Sequence, residues 1–78
     1  MEYKKLSTNC RAFSKINEKN YCISYETVIA VCDYTTKKIY VLRNLTVTSK
    51  KHLCQWAKFY SINDLDRVIV DKSVIDSL

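Results

Sequence analysis

Glycine and proline are both missing from the 78 residues. Average usage is about 7% and 5%, so their joint absence excludes the Walker phosphate loop, the dinucleotide-binding turn, collagen-like repeats and Pro-rich recognition segments. Turns have to be built from other residues, asparagine first among them because it tolerates left-handed backbone angles. Long apolar runs are also missing: no stretch reaches the roughly eighteen residues of a membrane helix. The stretch Met1 to Asn9 carries an acid and no apolar run, so no signal peptide is expected and the expected setting is cytoplasmic. The Asn44-Leu45-Thr46 glycosylation triplet is then a chance occurrence.

Histidine occurs once, as His52. A Ser or Cys nucleophile needs a base within hydrogen-bond reach, and on a helix His52 and Cys54 point about 200° apart, so they cannot pair. Carboxylates are available at Asp64, Asp66 and Asp71 but without pocket-forming neighbours in the sequence. The expectation is a protein with no catalytic activity.

Positive charge is what the chain has in excess, with 13 Lys and Arg against 8 Asp and Glu. Residues 1–58 hold eleven of the basic and four of the acidic side chains, whereas residues 59–78 hold two and four. A net +5 suffices to keep a small domain soluble, and it also favours a polyanionic or acidic partner. Lys37, Lys38, Arg43, Lys50 and Lys51 are the candidate partner contacts. Tyr25, Tyr34 and Tyr40 beside Lys37, Lys38 and Arg43 are the candidates for base stacking.

Periodicity outlines one domain spanning residues 1–78. Residues 1–19 are polar, with scattered apolar positions at Leu6, Phe13 and Ile16, and read as a loop or short helix. Asn17-Glu18-Lys19-Asn20 is a turn signal. Tyr21 to Tyr25 alternates like a strand with one wet face, and Thr27 to Cys32 is nearly all apolar, like a strand buried on both faces. Asp33 to Lys38 is a turn, and Lys38 to Arg43 returns as a further strand of an antiparallel hairpin. Helix formers run from Ser49 to Tyr60, with Leu53, Trp56, Ala57 and Tyr60 on one face and Lys51, Gln55 and Lys58 opposite. Arg67 to Asp71 reads as a last strand, and Lys72 to Leu78 as a short helical or frayed tail. The expected architecture is α+β: a three- or four-stranded antiparallel sheet carrying one amphipathic helix.

Four cysteines admit two readings. Cys10, Cys22, Cys32 and Cys54 are inert core thiols, or they form a closed thiolate site for structural zinc assembled across the fold, since no two lie close in sequence. Disulfides are not expected in a reducing compartment.

The segments Ser24-Tyr25-Glu26-Thr27-Val28-Ile29-Ala30, Ile39-Tyr40-Val41 and Thr46-Val47-Thr48-Ser49-Lys50-Lys51-His52, in this order, resemble a family of short phage and mobile-element proteins of unknown function. The likeness covers about residues 20–60. The resemblance implies a small α+β domain acting in a host cell and assigns no catalytic residue. Together with the small size, it leads to the expectation of a stoichiometric inhibitor of a host defence nuclease, such as a CRISPR effector, acting as a monomer or homodimer. The alternative is a basic accessory protein that binds DNA or RNA directly.

Overall fold

The computed structural model describes residues 3–15 and 19–78. Ile16 and the Asn17-Glu18 half of the expected turn lie outside the described residues. In chain order the elements are β1 (Tyr3–Ser7), β2 (Cys10–Lys15), β3 (Lys19–Ser24), β4 (Thr27–Asp33), β5 (Lys38–Leu42), α1 (Val47–Phe59), β6 (Asp66–Val70) and α2 (Lys72–Ser77). The strands form a six-stranded sheet in sequential order. Strands β1 to β5 are an antiparallel meander, and β6 returns parallel to β5 after the α1 crossover. The α+β class is as expected. The sheet is larger than the three or four strands expected, it is mixed, and a second helix is present.

The difference lies mainly in the first segment, which forms β1 and β2 and is neither loop nor helix. Its fully buried residues are small: Cys10 and Ala12 lie under α1, and Leu6 only borders that core. Small residues on one side and exposed side chains on the other leave no apolar alternation to detect. Strand β4 is central and buried on both faces as expected, but β3 has no wet face, because Tyr21, Cys22, Ile23 and Ser24 are all buried.

Helix α1 starts two residues before the expected Ser49. Thr46 is the cap, its hydroxyl accepting the Ser49 N–H at 3.1 Å. At the other end Ser61 adopts φ 55°, its N–H reaching Lys58 O and the Ile62 N–H reaching Ala57 O. This is a Schellman stop with serine in the left-handed position that glycine usually takes. Asn9, Tyr25, Lys37 and Asn44 meet the same demand in other turns, with φ between 57° and 63°.

Each sheet face has its own core. His52, Leu53, Trp56 and Ala57 of α1 are buried, with Leu53, Trp56 and Ala57 packing over Ala12, Cys22, Ala30, Cys32, Ile39 and Val41. Ala12, Cys22 and Ala30 fall in one register row, so the helix backbone approaches the sheet closely enough to enclose Trp56 fully. On the opposite face, Ile75 of α2 packs with Tyr21 and Val31, bordered by Phe13, Tyr40, Leu42 and Val70. Among the described residues no helix is long and apolar enough to cross a membrane.

Candidate nucleic-acid interface

Strand register, a long-range property, builds the most distinctive surface. On the face away from α1, Tyr3, Phe13, Tyr21, Val31, Tyr40 and Val68 are successive partners across all six strands and form a single row. Tyr3 and Phe13 have ring centroids 5.2 Å apart, and Phe13 and Tyr21 5.9 Å, all tilted. Helix α2 covers the row over β4 and β5, and Tyr21 is closed by Leu78, whose carbonyl oxygen accepts the Tyr21 hydroxyl at 2.8 Å and Lys19 Nζ at 3.3 Å. Tyr3, 49% exposed, and the half-buried Phe13 remain open.

Basic residues flank this open part. One neighbouring row runs Lys5, Arg11, Ile23, and the row beyond the aromatics runs Lys19, Asp33, Lys38, Asp66. Charge alternates in sign over β4 to β6 but is uniformly positive over β1 to β3. The Arg11 guanidinium lies 4.9 Å from the Tyr3 ring centre and reaches Glu26 at 3.3 Å. With the Glu26 side chain 92% exposed, that ion pair is easily exchanged for a phosphate.

The contacts expected from the sequence do not form one patch. Lys37 and Lys38 sit at the β4–β5 turn, while Arg43, Lys50 and Lys51 lie beyond the other end of β5, about 16 Å away along the strand. Arg43 is engaged by Asp71 at 2.9 Å. The expected stacking trio is also dispersed: Tyr25 and Tyr34 occupy turns at opposite ends of β4, and Tyr40 lies on the aromatic row where α2 covers it. Tyr3, Lys5, Arg11 and Phe13 were missed. Their signal is the two-residue alternation Tyr3-x-Lys5 and Arg11-x-Phe13, visible only once the segment is read as strands.

The four cysteines of the zinc reading are not brought together among the described residues. Cys10, Cys22 and Cys32 are buried, but Cys54 is exposed on α1, because a helix turns it away from the buried His52 and Leu53. Cys10 and Cys22 thiols both donate to the His52 carbonyl, at 3.8 and 3.9 Å. Among the described residues no three His, Cys, Asp or Glu side chains converge. Burial pushes the Cys10 and Cys22 thiols up, and raises Cys32 to about 11, so all three stay protonated and make poor ligands or nucleophiles.

One polar cluster escaped the sequence reading. Ser24 Oγ lies 2.7 Å from His52 Nδ1 and 3.1 Å from Ser49 Oγ. The first distance suits a nucleophile and its base, yet Ser24 is only 2% exposed, and among the described residues no carboxylate orients His52. The cluster fastens α1 to β3 and satisfies polar groups that would otherwise be buried unpaired.

Comparison with curated proteins and with solved structures gives no match. The model of a family of unknown function, DUF8033, matches residues 1–75. Since that match spans nearly the whole chain, the protein belongs to this family of unknown function.

Proposed function

We propose that this protein works by stoichiometric binding, with no bond-making chemistry, and that its ligand is single-stranded nucleic acid laid on the open face of β1 and β2. The observation that carries the reading is the Tyr3–Phe13 pair set between Lys5 and Arg11 on one side and Lys19 on the other. Rings take unpaired bases, and flanking cations take the backbone. A duplex keeps its base faces stacked inside and offers nothing to the rings. Of the two roles expected from the sequence, this geometry supports the nucleic-acid accessory protein. The nuclease inhibitor rests on the family resemblance and the small size.

Fluorescence anisotropy with labelled oligonucleotides tests the proposal. Single strands should bind with a Kd of about 100 µM or tighter, and affinity should fall with salt at a logarithmic slope near −2, as about three displaced counterions require. Tyr3→Ala should weaken binding by about 5- to 150-fold, the worth of one stacked base. Lys51→Ala, on the helix behind the sheet, should leave it unchanged. Equal affinity for duplex, or indifference to Tyr3→Ala, refutes the assignment; tight capture of a defence nuclease without free oligonucleotide binding would restore the inhibitor.

A further inference from the structure

The two edges of the sheet are treated differently. Strand β1 carries Lys4 and Lys5 and an irregular register between Lys5 and Ser7, both of which guard a free edge against pairing. Strand β6 has no lysine and no irregularity, and its two charges, Asp66 and Arg67, are confined to one end. Its sequence Asp66-Arg67-Val68-Ile69-Val70 ends in three β-branched residues, it pairs with β5 in unbroken register, and Ile69 is 53% exposed. The helices lie over the sheet faces, α1 mainly over β3 and β4 and α2 mainly over β4 and β5, with Val70 at the border of the α2 core. Among the described residues the outer side of β6 has no strand partner.

Backbone direction says which groups are free. The Val70 carbonyl accepts the Arg43 N–H at 2.9 Å, so Val70 faces β5. Because direction alternates along a strand, Val68 and Asp66 also face β5, and the N–H and C=O groups of Arg67 and Ile69 face outward. Such alternating free donors and acceptors fit an extended polypeptide strand.

We propose that the strand is β6 of a second copy, paired antiparallel about a two-fold axis at Val68. That axis sets Arg67 opposite the partner's Ile69 and Ile69 opposite the partner's Arg67, so all the outward groups meet in hydrogen-bonded pairs. Asp66 falls opposite the partner's Val70, and no like charges oppose one another. Self-pairing of β1 about Lys5, or between Lys4 and Lys5, would instead force lysine against lysine. The closed arrangement is isologous and ends at two copies, because the outer strands of the joined sheet are the guarded β1 edges.

Sedimentation velocity and light scattering on the full chain decide the matter. The wild type should show the dimer mass. Ile69→Lys, which changes an exposed side chain twice per dimer, should raise the dimer dissociation constant at least about tenfold with an unchanged far-UV circular dichroism spectrum. Ile69→Pro should do the same, since the N–H it removes points away from β5; if that variant unfolds, Ile69→Lys alone decides. Lys4→Ile on β1 should leave the wild-type dimer interface intact. A monomeric wild type at about 1 mM, or a dimer indifferent to Ile69→Lys, overturns the proposal.

Discussion

Asn20 is an amide in an apolar core, and its replacement should be costly for a specific reason. It is 1% exposed on the α1 face of β3, its Oδ1 accepts the Trp56 indole N–H at 3.1 Å, and its Nδ2 donates to the Tyr34 hydroxyl at 3.4 Å. Asn20→Leu keeps the volume filled but leaves the indole N–H of a fully buried tryptophan unpaired, which costs about 1–3 kcal/mol. Asn20→Ala adds a void of several heavy atoms, taking the loss to about 2–4 kcal/mol. Small domains hold about 5–15 kcal/mol in all, so a large share of the stability is at stake. Trp56 is the single tryptophan, and its fluorescence reports urea unfolding directly. With a slope near 1 kcal/mol per molar urea, the midpoint should fall by about 1–3 M for Asn20→Leu and further for Asn20→Ala. A midpoint for Asn20→Leu within about 0.5 M of wild type would refute the reasoning, because the hydrogen bond would then contribute nothing beyond the packing of the residue.

Two further outcomes follow from the backbone and the thiols. Lys37 adopts φ 58°, which costs a non-glycine residue about 1–2 kcal/mol, so Lys37→Gly should raise stability by about 0.5–1 kcal/mol after the entropy of the unfolded glycine is counted; thermal unfolding reads the change, and a lower melting temperature contradicts it. Cys32 ionises at 9.0 unfolded and at about 11 folded, so between these values the unfolded state has lost a proton that the folded state keeps. Its contribution to stability is therefore complete below pH 9 and is lost as pH rises toward 11. Cys32→Ala should flatten that alkaline slope relative to wild type, and parallel pH profiles would count against it.

Elements that bury large side chains at regular spacing were legible. Leu53, Trp56 and Ala57 outline α1, and the apolar run from Thr27 to Cys32 outlines a central strand. What failed was legibility where burial is carried by small or polar residues. Cys10 and Ala12 fill the core beneath α1 without registering as hydrophobic pattern, and Asn20 reads as a turn residue although its amide is matched to Trp56. The candidate site failed for a different reason. Charge density along the chain drew attention to Lys37, Lys38, Lys50 and Lys51, but a binding face is assembled across strands. Tyr3, Phe13 and Tyr21 become neighbours only through register, and no local window of sequence contains that information.

Geometry leaves this sheet with surplus face, and the choice of residues there argues for recognition. Six strands at about 4.8 Å spacing are about 25 Å across, while α2, with six residues, is about 9 Å long. A helix of that size covers β4 and β5 and stops, so β1 and β2 must meet solvent on that side. Solubility alone would place short polar or charged side chains on such a remainder. Here the remainder carries Tyr3 and Phe13 with Arg11 stacked over the tyrosine, and the charge that alternates over the covered strands becomes uniformly positive beside them. Phe13 borders the core under α2, but its outer part and the Tyr3 ring, 49% exposed, extend past that core and bury little. A flat, anionic ligand that covers the rings would give the arrangement its energetic sense, and single-stranded nucleic acid, the ligand proposed above, presents such a surface.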